Sequence, residues 1–215
     1  IYRQEQQWDE LMDLLEDQFD LAETEQKQAA ILIDMARINL EYIGDVDIAE
    51  GYLNEAFQIE PDNQKALSMR GDIFERRGNW NGLLDVIDRQ LDLAGTAERR
   101  IEIHLRRADI FEQKLDAPED ALNDLQQVLA IEPLHEEALE RSRSLYEKTD
   151  NHHGIYGLLD HRFEHADDEE VRIELLLSMA DLAREKLDTP ELVVDPLERA
   201  YDRRPTDLDI AEPLI

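Results

Sequence analysis

The sequence contains no cysteine, so disulfides, thiol nucleophiles and cysteine-based metal sites are excluded together. Lysine is nearly as scarce, five in 215 residues, and 23 basic side chains face 53 acidic ones for a net charge of −30. Binding to nucleic acid or to an anionic bilayer needs a basic footprint, so both partners are disfavoured. No apolar run approaches the roughly 18 residues of a membrane-spanning helix, so direct membrane insertion is not expected. No glycine-rich phosphate loop, serine-nucleophile elbow or paired-carboxylate signature occurs. With so many acids, neighbouring carboxylates arise by chance and carry no meaning. Neither an enzymatic activity nor a cofactor is expected. The chain opens at Ile1, without Met and without a signal-like stretch, and is read as a segment of a longer protein. Absence of cysteine does not decide the compartment; the cytoplasm is slightly favoured and the periplasm stays open.

Apolar residues make up 42% of the chain, enough for a core, and they recur at helical spacing, as in Leu11, Leu14, Leu15 and Phe19. The acidic residues are therefore expected on the solvated faces of ordered helices rather than in a disordered tail.

The sequence repeats itself at an offset of 72 residues without insertion or deletion. Trp8 falls on Trp80. Ala36, Ala108 and Ala180 superimpose, as do Ala66 and Ala138. Glu60-Pro61, Glu132-Pro133 and Arg204-Pro205 align, and Pro118 falls on Pro190. Gly44, Gly78 and Gly95 fall where helices end, since glycine adopts positive φ at little cost. The prolines at 61, 118, 133, 190 and 205 fall in turns or first helical turns, whereas Pro213 falls where its counterparts Met69 and Arg141 lie inside helices. This spacing predicts helices at 6–21, 28–43, 47–59, 63–77, 80–93, 99–114, 118–131, 135–148, 152–165, 170–186 and 190–203.

Each 72-residue block divides into helix pairs of roughly 35 and 37 residues, near the 34 of a tetratricopeptide repeat. Within them, Ala36-Arg37-Ile38, Gly44-Asp45, Ala49, Leu53, Ala56 and Pro61 resemble that family's pattern. It runs from a small residue in the first helix, through a glycine turn and a small-then-bulky second helix, to a closing proline. Gly71, Phe74, Gly78-Asn79 and Trp80 repeat the idea. The units depart from the standard motif by an extra residue or more, and Leu83 replaces the usual small residue of its second helix. The resemblance, to a repeat protein of bacterial type, implies an all-α, right-handed superhelical solenoid of antiparallel helix pairs. Its units would be 29–63, 64–100, 101–135, 136–172 and 173–207, with a partial unit at 1–28 and a truncated one at 208–215. First helices would line a concave groove, and open ends would invite end-to-end self-association.

His161-Arg162-Phe163-Glu164-His165 matches the H-x-x-E-H pattern of inverted zinc peptidases. The register opposes that reading: His165 takes the place of Leu21 and Leu93, and no third ligand announces itself. No metal site is expected. A sharper signal is where the repeat breaks. His104 stands where Leu32 and Leu176 do, and Arg107 where Met35 and Met179 do. Arg70 takes the position equivalent to Arg107 in the offset unit, and Arg143 replaces Gly71. Residues 70–107 hold eight basic and seven acidic groups, a net of +1 in a chain of −30. One reading is a patch in which Arg70, Arg106 and Arg107 take carboxylates of a partner. The other is intrahelical pairing, such as Asp72 with Arg76 and Glu102 with Arg106.

Some members of the family grip chaperone C-terminal carboxylates with Lys and Asn. The matching groove positions here are Ile33, Ser68, Leu105, Glu140 and Leu177, then Arg37, Asp72, Asp109, Ser144 and Asp181. The Lys and Asn are absent, so that role is not expected. The resemblance implies a protein-interaction scaffold holding another protein or a peptide segment. The candidate groove contacts are Arg37, Arg70, Asp72, Arg76, His104, Arg106, Arg107, Asp109 and Arg143. A regulatory or sensory arm of a larger enzyme is the alternative.

Overall fold

In the computed structural model, residues 8–187 and 189–205 are described, and among them there are helices and turns but no strand. The truncated unit expected at 208–215, with Pro213, lies outside the described residues, as do positions 6 and 7 of the first expected helix. No described helix is long and apolar enough to cross a membrane. The chain divides into two compact units, one up to Thr96 and one from Ala97 onward.

The first unit holds α1 (Trp8–Asp20), α2 (Glu25–Ile38), α3 (Val46–Ile59), α4 (Gln64–Arg76) and α5 (Trp80–Asp92). The second holds α6 (Ala97–Gln113), α7 (Pro118–Ile131), α8 (Glu136–Lys148), α9 (His152–His165), α10 (Glu169–Leu182) and α11 (Pro190–Arg203). Short turns oblige neighbours to run antiparallel, and within each unit consecutive helices pack on one another. These are the tetratricopeptide-like helix pairs that the sequence resembles.

The turns reproduce the repeat down to backbone angles. Gly44 and Gly78 close α2 and α4 with φ of 84° and 65°. At the same register, 72 residues on, stand Asp116 and Asp150, also left-handed at 49° and 54°. An aspartate tolerates that region better than most residues but less well than glycine. Gly95 needs no such freedom, because its φ is not in the left-handed region. Helix starts are capped by polar side chains: Thr24 accepts from the Lys27 amide, Asp45 from Ile48, Asn79 from Gly82 and Asn151 from Gly154. Thr24 explains why α2 begins three residues earlier than the periodicity predicts. A π-helical turn at Asn39–Ile43 extends α2, and another at Ala183–Leu187 extends α10 at the equivalent register.

Small residues sit where helices cross. Ala36, Ala108 and Ala180 are fully buried, as are Ala66 and Ala138. A Cβ on Gly154 would lie 2.3 Å from the Tyr146 ring, and one on Gly82 would lie 3.1 Å from the equivalent Phe74 ring. Both glycines therefore admit an aromatic ring from the preceding helix. Leu83, where the family motif has a small residue, is matched across the pair: a Cβ on Gly71 would lie 3.3 Å from its Cδ1. The first-helix small residue, Gly71, makes room for it.

The expected helix at 190–203, observed as α11, contains a proline besides the one in its first turn. Pro196 is buried in its interior, where the missing N–H deprives the Leu192 carbonyl of its helical donor. The Tyr156 hydroxyl of α9 donates to that carbonyl instead, at 3.3 Å. Burial is the largest cause raising the Tyr156 pKa above its ordinary value; the nearby carboxylates of Asp195 and Asp160 add to it, and Arg199 opposes them.

Candidate functional site

The broken register at His104 and Arg107 resolves into a trio within the second unit, in which His104 and Asp124 are buried and Arg107 is partly exposed. His104 is 5% exposed and Asp124, facing it from α7, is 4% exposed. The imidazole Nδ1 lies 2.7 Å from Asp124 Oδ1, and Arg107 Nε lies 3.3 Å from Asp124 Oδ2. A buried carboxylate persists only where charge and hydrogen bonds compensate it. The trio Leu32, Met35 and Tyr52 thus becomes His104, Arg107 and Asp124, then Leu176, Met179 and Pro196. Asp124 was absent from the candidates read from sequence. Carrying the 72-residue comparison into the second helices would have exposed it.

The other candidates are dispersed. In the first unit, Arg37 pairs with Asp34 at 2.5 Å. The hydrogen bond to Asp34 raises its pKa, burial opposes, and the charges of Asp34 and Glu41 add to the rise. Arg70 donates to the Asn54 side chain and its guanidinium lies 4.4 Å from the Phe57 ring centre. Arg76 donates to the Leu40 carbonyl at 3.1 Å, and Asp72 is exposed. In the second unit, Arg106 is exposed. Asp109 pairs at 2.8 Å with Arg141, which also reaches Glu112 at 2.6 Å and Glu137 at 3.0 Å. Burial works against the Arg141 charge, yet the hydrogen bonds to Glu112 and Glu137 and the attraction of Glu112 and Asp109 outweigh it. Arg143 pairs with Glu147 at 2.8 Å, one turn along α8.

The zinc-like run does not assemble a ligand set. His161 Nε2 lies 2.9 Å from the Pro133 carbonyl, and His165 Nδ1 lies 2.8 Å from the His161 carbonyl. Among the described residues no group of three or more His, Asp or Glu is placed to hold a metal.

Of the nine candidates, Arg143 alone lines the cleft formed by α8, α9 and α10, whose volume is about 790 Å³. Its apolar wall includes Leu139, Leu158, Leu159, Val171, Leu175 and Leu182. Charged groups stand among them: Glu136, Glu140, Asp167 and Asp168 against Arg143 and Arg162. The repeat gives a reason for the opening. Where Gly71 tucks beneath Leu83 in the first unit, the equivalent positions are Arg143 and Ile155, and both line the cleft. A guanidinium cannot be tucked beneath an isoleucine as a glycine can, because its charge must keep contact with water or a counter-ion. Leu134 and Val171, at the rim, remain 45% and 36% exposed.

No protein-family model matches the sequence, and no curated protein matches it. Among solved structures it is similar to a tetratricopeptide repeat protein from Parabacteroides merdae, at 24% identity and a TM-score of 0.46, over 86% of this chain and 70% of that one. It is similar to YrrB, a TPR protein with an unusual peptide-binding site, at 14% identity and 0.43, over 86% and 91%. It is also similar to PilF of Pseudomonas aeruginosa, at 13% identity and 0.44, over 98% and 90%.

Proposed function

We propose that this chain of tetratricopeptide-like helix pairs is a protein-interaction scaffold, and that its second unit seats a segment of a partner protein in the cleft between α8, α9 and α10. The cleft itself carries the reading. It leaves leucine and valine side chains open to water beside an organised charged rim, and solvent-exposed apolar concavities of this kind mark interaction sites. Arg143 is the candidate contact within it. Asp72, Arg106 and the Arg141-bound Asp109 offer further polar contacts on exposed helix faces, with Arg37, Arg70 and Arg76 beside their local partners. His104 and Arg107 act through the pairing of α6 with α7, which sets the frame that α8 to α10 extend.

The test compares wild type with Ser178→Trp, which fills the cleft from an exposed position on α10. Each immobilised protein is incubated with proteins of the source cell, and bound species are quantified. A partner retained by wild type and lost by the variant, while circular dichroism stays unchanged, supports the reading. Identical retained sets from the two proteins refute it.

A further inference from the structure

Resting on that reading, we infer that the occupant of the cleft is an amphipathic α-helix of about three turns whose apolar stripe is flanked by lysine or arginine. Three observations lead there. The α10 wall is built from Val171, Leu175, Ser178 and Leu182, which recur along one face of the helix. From Val171 to Leu182 is 12 residues, whose 11 rises span about 16 Å, the length of three turns of a partner helix.

The second observation concerns backbone hydrogen bonds. The cleft walls are mainly α8, α9 and α10, whose interior main-chain groups are satisfied within the helices, and most of the apolar lining residues are leucines. An extended peptide laid there would bring unpaired N–H and C=O groups to a surface that offers them few partners, at a cost for each. A helix satisfies its own backbone and presents only side chains, in the manner of helix-in-groove recognition.

The third is charge. Four carboxylates, of Glu136, Glu140, Asp167 and Asp168, stand against two guanidiniums; Arg143 is engaged by Glu147, and Asp168 accepts from the Glu170 amide as the cap of α10. The chain as a whole carries −30. Cationic flanks on the partner would meet complementary potential at the rim, which sets orientation and on-rate. Acidic flanks would be repelled.

Synthetic helical peptides test this directly on the full chain. Isothermal titration calorimetry on the unmodified chain leaves the cleft unobstructed. Four 15-residue probes of one length are titrated in. The first has a leucine stripe with lysine flanks, the second the same stripe with glutamate flanks. The third has the first composition with the stripe scrambled, and the fourth carries central prolines that forbid a helix. The first probe is expected to bind at least about ten-fold tighter than each of the others, and to weaken steeply as salt rises. Glu136→Lys with Glu140→Lys, both exposed positions, should reduce its affinity by about ten-fold without changing the helical spectrum. Tighter binding of the glutamate-flanked or proline probe overturns the partner class while leaving the cleft as a binding surface. Binding of none of the four overturns the inference. If Ser178→Trp also leaves the retained cellular proteins unchanged, the interaction reading falls with it.

Discussion

Replacing Asp124 by Ala removes the carboxylate that lies 2.7 Å from His104 Nδ1 and 3.3 Å from Arg107 Nε. The imidazole and carboxylate side chains are only 7% and 5% exposed, so water cannot easily take over the lost contact. Stripping one partner from a buried charged pair costs about 3–5 kcal/mol, and even a neutral donor left unmet costs about 1–3 kcal/mol. A loss of about 3 kcal/mol is therefore expected. For a chain of this size, that corresponds to roughly 6–12 °C in midpoint. The repeat supplies its own comparison. Exchanging all three residues for the set found one repeat earlier, His104→Leu with Arg107→Met and Asp124→Tyr, should be neutral or stabilising by about 1–4 kcal/mol. Repeat arrays need not unfold in one step. Urea titration followed by circular dichroism is therefore best paired with amide exchange in α6 and α7, where the loss should concentrate. If Asp124→Ala shifts stability by less than about 1 kcal/mol, the trio does not hold that helix pair together.

Other outcomes follow from the same register. Tyr156→Phe should cost about 1 kcal/mol, because it leaves the Leu192 carbonyl without the donor that Pro196 denies it. Burial and Asp195 and Asp160 raise the Tyr156 pKa on folding. The stabilisation linked to its protonated form is therefore complete below the unfolded value, which is near 10. It is lost as pH climbs through the folded value, and the Phe variant should lack that part of the alkaline decline. Asp116→Gly and Asp150→Gly should each stabilise by up to about 1 kcal/mol, since both aspartates hold left-handed angles that glycine holds at the equivalent turns. In α9, Gly157→Ala should stabilise by up to about 1 kcal/mol, because nothing lies within 4 Å of its added Cβ. Gly154→Ala should destabilise by about 1–3 kcal/mol through collision with the Tyr146 ring. Thermal melts of the two variants, side by side, check the contrast.

Much of the helical frame is legible in sequence because each helix repeats a local pattern of leucines, capping residues and turn prolines. The expected helices at 118–131, 152–165 and 190–203 coincide with α7, α9 and α11. What local pattern cannot carry is compensation across helices. His104 reads as an anomaly on α6 alone, and its reason, Asp124, lies 20 residues away on the facing helix. Pro196 is visible in the sequence inside the expected helix 190–203, but its remedy is not, because Tyr156 lies 36 residues from the freed carbonyl. The cleft is equally invisible, since it arises from Arg143 and Ile155 jointly replacing Gly71 and Leu83 on two helices.

Hydrogen–deuterium exchange of the full chain, with and without a retained partner, tests the interaction reading most directly. Partner binding should protect amides around the cleft-lining residues of α8, α9 and α10, at 136–143, 155–162 and 171–182, while α2 and α3 keep their free exchange rates. Protection confined to the first unit, with the cleft segments unchanged, would contradict it.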